Sequence, residues 1–194
     1  MRAVPRLRGV RAAVRYGGRV QPMPSALETP RLRLRPRDGR DAEGSLALLA
    51  EHPLGRAAGT VEEERDRLDA QRAAFDADGF GLYTIELAET GEAVGYCGLI
   101  VGRATPAQPE LVYELLRGQV GRGYATEAAA AVADAAFDAG VPVLWATVAT
   151  WNAPSFGVLR KLGFTATRRV GFDGGSVFVW LRRRAPQRRH RSNP

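Results

Sequence analysis

The chain has one cysteine, two histidines and one lysine among its 194 residues. It also lacks any apolar run near the roughly 20 residues that cross a bilayer. Cys97 alone excludes a disulfide framework or a multi-cysteine zinc site within one chain, and points to a reducing, cytoplasmic setting. His52 and His190 stand outside every patterned stretch, which argues against a histidine base. With Lys161 as the only lysine, the Gly-Lys-Ser/Thr of a P-loop is missing. The alanine-rich stretch after Thr126 is interrupted by Asp134 and Asp138, so no membrane association is expected.

The sequence is 45% hydrophobic, enough for one substantial core and too short for two ordinary domains. Its net charge of +7 resembles a nucleic-acid signal until the distribution is followed. Six arginines fall in residues 1–25 and six in 182–194, with no acid in either segment. Taking those twelve from the 28 basic residues leaves 16 against 21 acidic residues, a net of −5 for the remainder. Basic ends of this kind are solvated appendages, or they hold nucleic acid through counterion release. The expected organisation is a disordered basic leader or over-extended start at 1–25, with Met23 the simpler start, a folded domain at 26–181, and a disordered basic tail at 182–194. Nucleic acid is then a partner only through the tails, and the protein is expected to be a monomer or homodimer.

Residues 31–35 alternate strictly between arginine and leucine and meet Pro36, which predicts a half-buried strand. Helical spacing follows at 38–51 and 61–75, the second capped by Thr60. Residues 80–87 and 93–101 predict a hairpin, and a loop at 104–109 leads to a strand at 110–116. A glycine-rich turn then opens a helix at 125–139, followed by a strand at 143–149 and a helix at 154–162. A last hairpin at 164–170 and 176–181 turns at Asp173-Gly174-Gly175. A meander feeding a β-α-β crossover implies a single α/β domain (α+β in some schemes) with a mixed, twisted sheet of about seven strands and helices on both faces.

Gly121-Arg122-Gly123-Tyr124-Ala125-Thr126 lies between a strand and a helix. Small residues at 121, 123 and 125 admit close backbone approach, and the helix start offers unpaired amides and a positive dipole end. The combination suits a diphosphate, although a packing role alone would also explain such a loop. A dinucleotide fingerprint would have glycine where Thr126 stands and an acid near the end of strand 143–149, which has none.

Gly121-Arg122-Gly123-Tyr124-Ala125-Thr126-Glu127-Ala128 resembles the acetyl-CoA motif of the GNAT acetyltransferases, in the form carried by RimJ/RimL-type protein N-terminal acetyltransferases. Asn152-Ala153-Pro154-Ser155 with Val158-Leu159-Arg160-Lys161-Leu162-Gly163-Phe164 resembles the second signature of that family, and the segments at 29–36 and 90–95 resemble its first strand and central hairpin. The resemblance spans about 27–181 and implies acetyl-CoA as cosubstrate, with no metal. It implies that the backbone of Val120, Gly121, Arg122, Gly123, Tyr124 and Ala125 cradles the diphosphate. It also implies that strands 110–116 and 143–149 diverge to admit pantetheine, that Asn152 bonds the pantetheine arm, and that Ser155 lies near the sulfur. One departure is Gly118, where the superfamily motif often has a Gln or Arg donor.

Direct attack of an amine on a thioester needs a base for the amine, donors for the oxyanion and an acid for the thiolate. Ser155 is the candidate acid, or an N-terminal capping residue like Asn152. Glu110 and Glu114, on one side of their strand, are candidate bases or plain surface carboxylates. Glu127, in the first turn of a helix, reads as structural. Tyr113, Trp145 and Trp151 flank the expected cleft, as pocket or as core. The acceptor is a primary amine, favoured by the resemblance to be a protein N-terminal α-amine, and small amines are the other option. The acids at Glu62-Glu63-Glu64, Asp66 and Asp69 either attract a cationic acceptor or form a solvated helix face. The alternative to an enzyme is a non-catalytic acyl-CoA-binding regulatory protein.

Overall fold

The computed structural model describes residues 21–52, 59–173 and 175–186. The leader as far as residue 20, the tail from 187, and Gly174 of the expected last turn lie outside the described residues. The elements are β1 (Leu27–Glu28), β2 (Leu32–Pro36), α1 (Ala42–Glu51), α2 (Val61–Asp78), β3 (Leu82–Leu87), β4 (Ala93–Thr105), β5 (Gln108–Leu115), α3 (Tyr124–Asp138), β6 (Val143–Ala149), α4 (Ala153–Lys161), β7 (Thr165–Asp173) and β8 (Ser176–Arg184). They form one mixed sheet of eight strands in the order β1-β2-β3-β4-β5-β6-β8-β7. Only β5 and β6 run parallel, joined through α3. The eighth strand is the two-residue β1, too short to leave a sequence pattern.

Alternation sets the two faces of the sheet. Leu34 pairs with Ile85, Tyr83 with Cys97, and Leu99 with Leu111. This row forms one core with Ala128, Ala129, Val132, Ala133 and Ala136 of α3. Alanine side chains let α3 lie close to the sheet. Complete burial of Leu32, Leu34 and Ile85 stabilises the fold by roughly 2 kcal/mol each.

The opposite face carries Arg35, Thr84, Tyr96 and Glu114 in register, and α1 and α2 pack over it. Asp41 fixes that layer by accepting from Arg35 (2.6 Å) and from the Thr84 hydroxyl (2.7 Å). Thr60 and Glu63 form a reciprocal cap at the start of α2.

Three boundaries move. The expected loop at 104–109 is a hairpin in which Thr105 pairs with Gln108, and β4 is irregular between Ile100 and Thr105. Gly102, with φ of +50°, permits that irregularity. The last strand continues through residues 182–184, where Arg183 turns toward Asp134 (3.6 Å) and the Phe137 ring. At the other end, Met23 is buried and its amide donates to the Gly79 carbonyl (2.8 Å).

Candidate active site

After β5 the chain makes a short 3-10 turn at Arg117–Gln119 and enters α3 through Gly121 (φ +86°) and Gly123 (φ +85°). Left-handed backbone costs a non-glycine residue roughly 1–2 kcal/mol, which accounts for both glycines. A Cβ at Gly121 would meet nothing within 4 Å, so packing does not explain that glycine and backbone conformation does. No side chain caps α3, whose first helical hydrogen bond runs from the Glu127 amide to the Gly123 carbonyl. The preceding amides of Tyr124, Ala125 and Thr126 therefore lack helical acceptors and form, with the dipole, a concentrated positive site. A diphosphate fits this arrangement without any side-chain donor, so Gly118 does not remove the cradle.

A clamp from the first strand region holds this loop, and nothing in local spacing signals it. Glu127 accepts from Arg31 Nε (2.7 Å), from the Arg31 amide (3.0 Å) and from the Thr29 hydroxyl (2.7 Å). Arg31 Nη1 also donates to the Arg122 carbonyl (3.0 Å), and its guanidinium lies 4.8 Å from the Tyr124 ring centre. Partial burial pushes the Glu127 carboxyl up, but the Thr29 and Arg31 hydrogen bonds outweigh it and hold the pKa below the ordinary value.

Strands β5 and β6 pair only at Glu110 and Trp145. No later position toward their C-terminal ends is paired, so the sheet opens there into a V, and the chain leaves the end of β5 for the α3 N-terminus. Glu110 sits at the foot of the V, 3% exposed, with both oxygens occupied. One accepts from the Arg103 amide (3.1 Å), the other from the Thr147 amide (3.0 Å) and the Thr147 hydroxyl. It fastens the irregular part of β4 to β6. Glu114 accepts from the Tyr96 hydroxyl (2.9 Å) through Oε2, and Oε1 has no hydrogen bond from a described residue. Buried Arg37 stacks on the same Tyr96 ring at 4.7 Å, and desolvation lowers its pKa.

On the α3 and α4 side the V is bridged by the Tyr113 hydroxyl, which donates to the Ser155 carbonyl (3.1 Å). Burial pushes the Tyr113 phenol up to about 12. Asn152 caps α4, its Oδ1 accepting from the Ser155 amide (3.3 Å), and its NH2 group makes no hydrogen bond to a described residue. The Ser155 hydroxyl makes no hydrogen bond to a described residue. Glu110, Glu114, Asn152 and Ser155 thus all surround the V, while Val120 to its open side is exposed.

Trp145 packs edge-on against Trp180 (6.0 Å) and donates to Gln108 (3.0 Å). Trp151 is 49% exposed and donates to the Ser176 hydroxyl (3.3 Å), so it is not core. Cys97 is completely buried, which raises its thiol pKa far out of the reactive range. His52 ends α1, and His190 lies outside the described residues. Among the described residues, no group of three or more His, Cys, Asp or Glu is placed to hold a metal. No described helix is long and apolar enough to cross a membrane.

Residues 31–165 match the family model described as Acetyltransferase (GNAT) domain. No curated protein matches the chain. Among solved structures, a GnaT-family acetyltransferase from Bordetella pertussis is 25% identical with a TM-score of 0.71, covering 82% of this chain and 99% of its own. An acetyltransferase from Agrobacterium tumefaciens str. C58 is 30% identical with a TM-score of 0.67, covering 81% and 93%. The Salmonella typhimurium acetyltransferase yncA, solved with its cofactor acetyl-CoA, is 19% identical with a TM-score of 0.65, covering 80% and 95%.

Proposed function

Because the chain belongs to the GNAT acetyltransferase family, we propose that it transfers the acetyl group of acetyl-CoA to a primary amine, the N-terminal α-amine of a protein in the RimJ/RimL manner. The observation that carries this reading is the V between β5 and β6, which pair at a single position beside an uncapped helix start. The yncA complex lends its cosubstrate to the reading.

Bound acetyl-CoA supplies an acyl carbon activated by its thiol leaving group. The chain supplies the rest. The amides of Gly121, Arg122, Gly123, Tyr124 and Ala125 hold the diphosphate, the Val120 amide being already given to the Arg117 carbonyl (3.3 Å), and the Asn152 NH2 donates to the pantetheine arm. A backbone N–H from the edges of the V stabilises the oxyanion, as fixed dipoles do where charge develops. Glu114 accepts the amine proton, directly or through water, because its Oε1 is unclaimed while both oxygens of Glu110 are bonded. Glu110 maintains the foot of the V. The Ser155 hydroxyl gives a proton to the departing thiolate and recovers one from water, to which Glu114 in turn releases the proton taken from the amine.

Incubating the full-length protein with acetyl-CoA and a panel of free N-terminal peptides and polyamines, and following thiol release, tests this. Stoichiometric thiol release with acetylated peptide is expected. Acetyl-CoA binding without transfer to any amine would favour the non-catalytic acyl-CoA-binding alternative.

A further inference from the structure

The acceptor side of the V has a chemistry opposite to the one its nearest acidic helix advertises. Three carboxylates of α2 are engaged in structure: Glu63 caps Thr60, Glu64 accepts from Ser45 and Arg67, and Asp69 accepts from the Gly39 amide (2.7 Å), while Glu62 and Asp66 are exposed. The engaged three are poorly placed to draw in a cation, and the exposed two are solvated. Tyr113 and Ser155 bridge the α3 and α4 side of the V, so an acceptor reaches its foot from the other side.

On that other side α1 packs on β4 and α2 on β3, and the neighbouring face of β6 and β8 carries aromatic rings roofed by arginines. Register sets the row: Trp145 opposes Arg182, Thr147 opposes Trp180, and Ala149 opposes Phe178. The Arg169 guanidinium stacks on Trp180 at 3.6 Å, and Arg103 lies over Phe178 at 4.8 Å. Arg103 is neutralised by Asp173 (2.6 Å). No described carboxylate pairs with Arg169 or Arg182, and both are exposed. A guanidinium held 3.6 Å over an indole ring loses little further entropy on binding and keeps its N–H groups for a bidentate carboxylate. Glu110, the acid at the foot of this face, has both oxygens occupied by donors already described.

Resting on the acetyltransferase reading, we propose that this face of β6 and β8 binds the first residues of an acidic peptide, with Arg169 pairing a carboxylate near its free N-terminus. The thioester arm can extend no further than the foot of the V, where β5 and β6 pair, so the attacking amine sits level with Trp145. Trp180 lies two residues along from that level. An extended peptide advances about 3.3 Å per residue, so the side chain of its second or third residue comes level with Arg169. Arg182, level with Trp145, faces the residue next to the amine.

The test compares the peptides Ser-Asp-Asp-Ala, Ser-Asn-Asn-Ala and Ser-Lys-Lys-Ala as acceptors for the full-length protein, with acetyl-CoA affinity measured by calorimetry in parallel. The acidic peptide is expected to exceed the neutral one at least tenfold in kcat/KM, with the lysine peptide lowest. Arg169→Glu should erase or invert that order while leaving the acetyl-CoA Kd unchanged, and Arg182→Glu should narrow it. Equal or better use of the neutral or lysine peptide overturns the proposal, as does an acidic preference untouched in Arg169→Glu. Acetyl-CoA binding with no peptide acetylated overturns the peptide class alone, whereas no acetyl-CoA binding overturns the acetyltransferase reading beneath it.

Discussion

The region proposed to hold the cofactor and the region proposed to hold the acceptor are specified in different ways. The cofactor half is built by contiguous backbone: Gly121 and Gly123 set two left-handed residues and α3 begins immediately after. The acceptor half is built by side chains that the topology gathers from β4, β6, β7 and β8, with Arg103 and Arg169 meeting rings on another strand. A backbone site tolerates side-chain change outside its glycines. A site of gathered side chains is retuned by single substitutions, so affinity for the cosubstrate and choice of acceptor should separate under mutation.

Glu114→Gln is expected to give the largest separation, lowering kcat by about 10²-fold or more, as loss of a general base does, while the acetyl-CoA Kd stays constant. Steady-state kinetics with calorimetry check this; unchanged kcat would remove Glu114 from the chemistry. Glu110→Gln should instead act through stability. Its amide would direct a donor at the Arg103 or the Thr147 group, leaving a buried donor unpaired at a cost of about 1–3 kcal/mol, read as a lower melting temperature.

Arg31→Ala sharpens the comparison from the cofactor side. Without the bond to the Arg122 carbonyl the loop must be ordered by the ligand, and the acetyl-CoA Kd should rise about tenfold, roughly 1.4 kcal/mol, with kcat unaltered. The clamp also titrates. Because the Glu127 pKa is depressed in the fold, its contribution is present above the ordinary carboxylate value of 4.5 and is lost as pH falls through the lower folded value. Thermal melting of the parent should therefore decline more steeply below that pH than melting of Glu127→Gln. Smallest of all, Glu62→Gln with Asp66→Asn on α2 should leave kcat/KM for every acceptor within about twofold, as expected for solvated surface charges. A marked loss with cationic acceptors would restore the acidic helix as an acceptor determinant.

The division between the halves also decides what could be read from residues alone. The alternating strand at 31–35 and the glycine-rich loop before α3 follow from local patterns, whereas the divergence of strands 110–116 and 143–149 and the roles of Asn152 and Ser155 came only as what the family resemblance implies. Arg31 gave no such sign: as the exposed arginine of an alternating strand it looks like solvent-facing charge, and its partner Glu127 is 96 residues away. Tyr96 and Thr147, which hold Glu114 and Glu110, were invisible for the same reason. The expected loop at 104–109 failed differently, since Gly102, Pro106 and Pro109 are loop chemistry used here for an irregular strand and a tight turn.

Both halves depend on the proposed binding of acetyl-CoA in a backbone cradle between β5 and α3. Calorimetric titration of acetyl-CoA into the full-length protein and into Gly123→Glu tests it most directly, because the variant places charge and bulk in the cradle at a left-handed position. Saturable one-to-one binding by the parent, absent from a folded variant, is the predicted result. No binding by a folded parent, or equal binding by both proteins, would contradict it.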